Sequence, residues 1–307
     1  GISFGTAVVF QASAITQVSA TFDSNLNKVV IAFNPTSTTK ATFISGTVSG
    51  TSISFGASID VDSTSGVVIP NPSLVFDSNS NKVVLPFEND ADSDKGTAVV
   101  YTTGNLNLTA ENYVGMSGGP VKITGSAGGT GSETVFEQAT TRYGASAYDT
   151  NTNRVVIAYA DVGNSSYGTA IVGTVSGTSI SFGTAVVFET AEVQDVAITF
   201  DSNSNKIVIA YADEGNSTHG TAIVGTVSGT SISFGSAVVF EAANTDNISA
   251  TFDSNSNKVV IAYRDIANSN YGTAIVGTVS STSISFGTAV VFESADSRNM
   301  ESEFDPN

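Results

Sequence analysis

The sequence predicts an all-β fold built from tandem repeats of about 52 residues. Aromatic-aspartate pairs recur along the chain, and the last three intervals between them are each 52 residues. The two earlier intervals are 54 and 72 residues, so one of them carries about twenty extra residues. A period near fifty indicates a repeat architecture. The pairs are Phe22-Asp23, Phe76-Asp77, Tyr148-Asp149, Phe200-Asp201, Phe252-Asp253 and Phe304-Asp305.

The clearest copy of the repeat, residues 248–292, contains four strand-like segments and no segment of helical period. Each segment is bounded by turn residues such as Ser, Asn and Gly. Gly287 interrupts the fourth segment, which predicts a bulge or bend in that strand. The segments are 248–253, 258–263, 271–279 and 283–292.

The second and third segments are apolar on both faces. In VVIAY, Val259, Ile261 and Tyr263 face one way, while Val260 and Ala262 face the other. An antiparallel sheet with one solvated face would instead alternate apolar and polar residues. Each small sheet therefore needs a neighbour on either side, which favours the four-stranded blades of a β-propeller. A β-stack or fibre segment is the alternative.

In chain order, the sequence predicts one propeller domain over 1–307, with five complete repeats and partial repeats at both ends. Residues 1–10 match only a fourth strand, and the sixth copy stops after its first strand. An irregular insertion is predicted at about 103–131, where the period breaks. A blade formed from the two ends would lack its two central strands. Three explanations are open: the chain is part of a longer protein, another chain supplies the two strands, or five blades close the ring and leave both ends unpaired. We favour the explanation that the chain is part of a longer protein.

The composition excludes several classes of partner and site. The chain has 28 Asp and Glu against 11 Lys and Arg, a net charge of −17, which argues against binding nucleic acid. It has no cysteine, so disulfides and thiolate metal sites are excluded. No stretch is long and apolar enough to predict membrane insertion. Oligomerisation remains open.

Three segments carry a resemblance to a known family. GTAIVGTVSGTSISFGTAVVF, FDSNSNKVVIAY and LTAENYVG resemble repeats of virion proteins of marine tailed phages, including tail-fibre-like and host-attachment proteins. The resemblance covers nearly the whole chain, although the first two copies depart from it. It implies a virion or extracellular location, with other virion or appendage proteins as partners, and it does not imply a ligand.

A Tyr-x-Asp pair opens the loop after the second strand in three copies. An exposed tyrosine beside a carboxylate suits a sugar, through ring stacking and a hydrogen-bond acceptor. The competing interpretation is that the tyrosine fills the core and the aspartate forms the turn. The candidate ligand-binding residues are Tyr159, Asp161, Tyr211, Asp213, Tyr263 and Asp265.

The DSNSNK segments have the spacing that opens a calcium loop, so Asp201, Asn203 and Asn205 are weak calcium candidates. Lysine stands where that loop needs glycine, and no glutamate follows at the twelfth position. A hairpin turn explains the segment better. No cofactor is otherwise predicted.

The segments before each first strand and after each second strand should emerge on one propeller face, and they differ between the close copies. A constant scaffold with variable loops is typical of a binding surface. The acidic residues recur once per copy, whereas catalysis needs one particular constellation. The sequence therefore predicts a non-enzymatic surface protein that binds a host glycan or receptor. The alternatives are a purely structural virion component and, less favoured, a glycoside hydrolase.

Overall fold

The computed structural model describes residues 5–36, 40–61, 73–89, 92–104 and 128–305. Within them, the regular structure is antiparallel strand and short 3-10 turns, including Val162–Asn164 and Glu214–Asn216. The all-β prediction is confirmed. Much of the predicted insertion at 103–131 lies outside the described residues.

The strands of the described residues form five sheets, which we number in chain order. Sheet 1 contains β1 (Ile15–Asp23), β2 (Lys28–Pro35), β3 (Thr42–Ser49), β4 (Ser52–Phe55) and β5 (Ile59–Asp60). Sheet 2 contains β6 (Val75–Asp77), β7 (Lys82–Asn89), β8 (Lys95–Thr102), β9 (Gly129–Thr130) and the first part of β10 (Thr134–Asp149).

The three close copies form sheets 3 to 5. Sheet 3 contains the rest of β10, β11 (Arg154–Asp161), β12 (Tyr167–Ser176), β13 (Ser179–Phe182) and the first part of β14 (Val186–Asp201). Sheet 4 contains the rest of β14, β15 (Lys206–Asp213), β16 (His219–Ser228), β17 (Ser231–Phe234) and the first part of β18 (Val238–Asp253). Sheet 5 contains the rest of β18, β19 (Lys258–Asp265), β20 (Tyr271–Ser280), β21 (Ser283–Phe286) and β22 (Val290–Asp296).

The long strands β10, β14 and β18 each belong to two successive sheets. In β14, Val186 pairs with Ala170 of sheet 3, while Ile198 pairs with Ile209 of sheet 4. A loop was expected before each first strand, but the chain stays extended as it crosses from the outer edge of one sheet to the inner edge of the next. One continuous strand therefore couples each sheet to its neighbour.

The predicted bulge in the fourth strand is confirmed in all three close copies. Gly183, Gly235 and Gly287 separate the two halves of that strand. Their N–H groups donate to the carbonyl oxygens of valines in the third strand at 2.9, 3.0 and 3.0 Å. The bulge lets the strand bend without losing its attachment to the sheet.

Both faces of each sheet are buried where sheets stack. In β15, Ile207 and Ile209 belong to the apolar cluster shared with sheet 3, whereas Val208 and Ala210 belong to the cluster shared with sheet 5. All four side chains are fully buried. Similar clusters join sheets 1 and 2 and sheets 2 and 3. The predicted face-to-face stacking is therefore confirmed.

Candidate functional site

The first strands of sheets 1, 3, 4 and 5 line one central cavity of about 1090 Å³, together with Ser73 and Leu74, which precede the first strand of sheet 2. Residues 299–303 lie beside the first strand of sheet 5 and line the cavity too. Hydroxyl groups bridge neighbouring first strands: the Ser73 Oγ accepts from the Ser146 N–H at 2.8 Å, and the Ser249 Oγ accepts from the Ser302 N–H at 2.9 Å. A straight β-stack or fibre would not bring these strands together around one centre.

A ring of bulged residues stands at one end of this cavity. At the bulge, the backbone enters the left-handed region, which is uncommon for residues other than glycine and costs of order 1–3 kcal/mol each. These residues also line the cavity. They occupy one repeat position and differ between copies: Gln17, Tyr143, Asp195, Asn247 and Asn299, with φ of 51°, 53°, 47°, 50° and 53°.

Hydrogen bonds connect successive members of this ring. The Asn247 Oδ1 accepts from the Asn299 N–H at 2.8 Å. The Asp195 carboxylate likewise accepts from the backbone of Asn247. The Asp195 and Asn247 side chains are therefore each fixed by the backbone of the next copy, so these two polar groups are held in place before any ligand arrives.

The ring is electrostatically asymmetric around sheets 4 and 5. Burial, followed by the nearby charge of Asp246, raises the pKa of Asp195. Arg264 forms an ion pair with Asp246 through two donors, its Nε lying 2.6 Å from the Asp246 Oδ1. It also reaches Asp296 at 3.3 Å. The two preceding close copies have alanine at the position of Arg264, and the first two copies have Asn34 and Glu88, so this network is specific to one part of the ring.

Tyr143 adds an aromatic side chain to the same end of the cavity. It is half-buried. Burial raises the pKa of its hydroxyl, with a further contribution from the negative charge of Asp195. Because Tyr143, Asp195 and Asn247 line the same cavity, an aromatic ring, a carboxylate and an amide can together offer a sugar an apolar face and hydrogen-bonding partners.

The structure corrects the stacking role expected for the tyrosines of the Tyr-x-Asp pairs. Tyr159, Tyr211 and Tyr263 have no exposed surface, so their rings cannot stack on a ligand in this structure. Their hydroxyls donate to Glu137, Glu189 and Glu241 at 3.2, 3.1 and 3.0 Å. Burial and the neighbouring glutamate raise the pKa of each tyrosine. These residues link neighbouring sheets.

The aspartates of the same pairs begin the loops after the second strand. The Asp161 Oδ1 accepts from the Asn164 N–H at 3.2 Å, and the Asp265 Oδ1 accepts from the Asn268 N–H at 3.0 Å. Asp213 differs, because its buried Oδ1 has no hydrogen-bond partner among the described residues. A ligand-binding role for these positions stays a prediction, now restricted to Asp161, Asp213 and Asp265.

The calcium candidates form a hairpin turn. The Asp201 Oδ1 accepts from the N–H groups of Asn203 and Ser204 at 2.9 and 3.0 Å, and its Oδ2 accepts from the Ser204 hydroxyl at 2.7 Å. Asn205 adopts a left-handed φ of 55°. A calcium ion would have to displace these donors. The described residues contain no group of three or more His, Asp or Glu side chains arranged to hold a metal.

The predicted variable face contains the cavity mouth. The variable segments 189–195, 241–247 and 293–299 end at Asp195, Asn247 and Asn299. They lie beside the loops after the second strands; for example, the Thr245 N–H donates to the Thr218 oxygen at 3.0 Å. The individual residues Tyr143 and Arg264 were missed. They could have been identified in the sequence because each differs in amino-acid type from the residues at the same position in other copies of the repeat.

No protein-family model and no curated protein matches the sequence. Solved structures do match the fold. The SapL1 lectin in complex with alpha methyl fucoside is 12% identical, with a TM-score of 0.50, covering 90% of this chain and 80% of the lectin. A triple arginine-to-alanine mutant of AofleA from Arthrobotrys oligospora is 10% identical, with a TM-score of 0.50, covering 93% of this chain and 77% of that protein.

The NanB sialidase from Streptococcus pneumoniae is 11% identical, with a TM-score of 0.51. The match covers 95% of this chain and 63% of the sialidase. The predicted exclusion of enzymes is therefore wrong, because an enzyme shares this fold. Among the described residues, no helix has the length and apolar character needed to span a membrane. Together, the stacked sheets and these likenesses confirm the all-β, propeller-type fold.

Proposed function

We propose that the protein is a carbohydrate-binding propeller, displayed on a virion or cell surface for attachment to a host glycan. The observation that carries this proposal is the bulged ring at the cavity mouth, where side chains vary while the scaffold is constant. Support for the ligand class comes from the SapL1 lectin, whose complex contains alpha methyl fucoside. Support for the location comes from the resemblance to phage virion repeats.

Tyr143, Asp195, Asn247 and Arg264 form the proposed saccharide site. The tyrosine ring would cover one apolar sugar face. The Asp195 carboxylate and the Asn247 amide would bond adjacent hydroxyls, and Arg264 would donate to a ring or glycosidic oxygen. Because the backbone of the next copy fixes Asp195 and Asn247, little side-chain entropy is lost on binding, which favours affinity for a small polar ligand.

The test is a glycan array, followed by calorimetry on the saccharides that bind. Asn247→Ala and Tyr143→Ala should each weaken binding at least about tenfold, the equivalent of about 1.4 kcal/mol. Asn255→Ala is the matched control, because its exposed side chain lies in the hairpin turn at the opposite end of the first strand. Absence of binding across host polysaccharides, or equal losses with Asn255→Ala, would contradict the proposal and favour a structural virion component.

Glycoside cleavage is a second candidate function, favoured by the two carboxylates Asp195 and Asp246. Hydrolases of this kind pair an acid of raised pKa with a second carboxylate. Burial raises the pKa of Asp195 beside Asp246. Incubation of each bound glycan with the protein, followed by measurement of released reducing sugar, tests this. Release that Asp195→Asn abolishes supports cleavage; binding without release supports a binding module.

A further inference from the structure

The wall of the central cavity carries acidic side chains without basic ones. Asp195, Glu301 and Glu303 line the cavity. No lysine, arginine or histidine stands among the described residues that line it. A cavity with carboxylates and no cation has a negative potential at neutral pH, which attracts cations and repels anions. The charge of a ligand therefore decides how easily it enters.

Glu301 and Glu303 stand on the part of the wall beside the first strand of sheet 5. Ser302, between them, is attached to that strand: its N–H donates to the Ser249 Oγ at 2.9 Å, and the two hydroxyl oxygens lie 2.8 Å apart. Partial burial, followed by the negative charge of Glu303, raises the pKa of Glu301. The two carboxylates are therefore close enough to repel each other, and both face the same cavity.

The surface around the cavity mouth has the same sign of charge. The variable segments 189–195, 241–247 and 293–299 together contain seven acidic residues and one basic residue, Arg298. Arg298 forms an ion pair with Asp296, while Arg264 forms ion pairs with both Asp246 and Asp296. The positive charges of these two arginines are therefore compensated within the protein, and the remaining carboxylates leave the mouth negative.

Two side chains of the bulged ring indicate the sign of this potential. After burial, the negative charge of Asp195 raises the pKa of the Tyr143 hydroxyl more than the exposed Arg142 lowers it. After burial, the charge of Asp246 likewise raises the pKa of Asp195 more than Arg264 lowers it. At both positions the negative charges outweigh the positive ones.

The opposite end of the first strands has a balanced charge. There, each turn between the first and second strands pairs an aspartate with a basic residue, as Asp253 pairs with Lys258 in sheet 5. Each positive charge is thus matched by one carboxylate. A substitution at this end can therefore serve as a control that changes the net charge without changing the mouth. The basic residues are Lys28, Lys82, Arg154, Lys206 and Lys258.

We propose that the cavity excludes anions, and that the glycan recognised at its mouth is an uncharged saccharide rather than one that carries a carboxylate or a sulfate. The choice of saccharide rests on the function proposed above, whereas the exclusion of anions does not. Tyr143 can cover a neutral sugar ring and Asn247 can bond its hydroxyls. An anionic sugar would lose hydration there without gaining a positive partner, since no cation stands in the described wall.

Introduced thiols test the potential without a glycan, because the chain has no cysteine of its own. Thr251→Cys places a thiol in the cavity wall, and Asn255→Cys places the control thiol in the exposed turn at the opposite end. Each is modified with a trimethylammonium and with a sulfonate methanethiosulfonate reagent. The cation-to-anion ratio of rates should be at least about tenfold higher at position 251, and about 1 M salt should remove most of this difference. Differences in thiol reactivity cancel in the ratio.

Glu303→Gln should lower the ratio at position 251 by about threefold, whereas Asn255→Lys, which changes the net charge equally, should leave it unchanged. Equal ratios at positions 251 and 255 would overturn the proposal.

A glycan array that carries each neutral glycan with its sialylated and sulfated forms tests the choice of saccharide. The neutral form should bind at least about tenfold more tightly than either anionic form. Anionic forms that bind as tightly as the neutral one would overturn the proposal. Exclusion of the anionic reagent with no glycan bound would support the charge of the cavity and contradict only the carbohydrate-binding function.

Discussion

Removal of the phenylalanine ring between two sheets tests the stacking on which the fold depends. Phe240→Ala deletes a ring that is 8% exposed and contacts Tyr263 and Phe286. Large-to-small changes of a buried phenylalanine cost about 3–5 kcal/mol, because apolar burial is lost and a cavity remains. We expect about 3.5 kcal/mol. With an unfolding entropy of about 2.1 cal/mol/K per residue, this loss lowers Tm by about 5 °C.

Phe292→Ala is the matched control, at the same repeat position. Its ring is 57% exposed and lies against Gly272 of its own sheet. Less than half of the ring surface is buried, so the substitution removes less apolar contact. We expect the free energy of unfolding to fall by about 1 kcal/mol and the Tm by about 1–2 °C. Differential scanning calorimetry measures both variants. Equal losses for the two would refute the stacking of sheet 4 on sheet 5.

Three further predictions concern charge and hydrogen bonding. Tyr211→Phe removes the donor to Glu189 and should lower the free energy of unfolding, measured in urea, by about 2 kcal/mol. Tyr167→Phe is the control and should lower it little. Equal effects of the two substitutions would contradict the buried hydrogen bond. Burial raises the pKa of the Tyr211 hydroxyl, so near pH 10 the unfolded state releases its proton and the folded state does not. The free energy of unfolding should therefore fall above about pH 10. It should fall less steeply in Tyr211→Phe than in the unchanged protein. The pKa of Asp195 is raised, so its ionisation at neutral pH opposes folding. Asp195→Asn should therefore raise the Tm at about pH 7 and leave it unchanged at about pH 3. A lower Tm at both pH values would refute this argument.

The fold could be predicted because its cause is local and repeated. Val208 and Ile209 are adjacent in sequence and point to opposite faces, so two apolar faces are visible in one short segment. The bulge at Gly287 could be predicted because glycine interrupts a strand pattern. The continuity of β14 could not be predicted, because the segment 189–195 is mostly polar and its sequence is typical of a loop. Its pairing with two different sheets depends on contacts far apart in sequence.

The site was predicted less well for the same reason. Tyr211 appeared suited to a ligand because its hydroxyl partner, Glu189, belongs to the preceding copy and cannot be recognised from the local pattern. The bulged conformation of Asp195 is also hidden, because a left-handed φ is not expected at aspartate inside a strand. Arg264 could have been found by comparison of the copies, since alanine stands at its counterparts Ala160 and Ala212.

The most direct test of the account is a crystal structure of the protein with its best-binding saccharide. The account predicts the sugar at the mouth of the central cavity, on the Tyr143 ring and within hydrogen-bonding distance of Asp195 and Asn247. A sugar bound elsewhere, with that mouth empty, would contradict it.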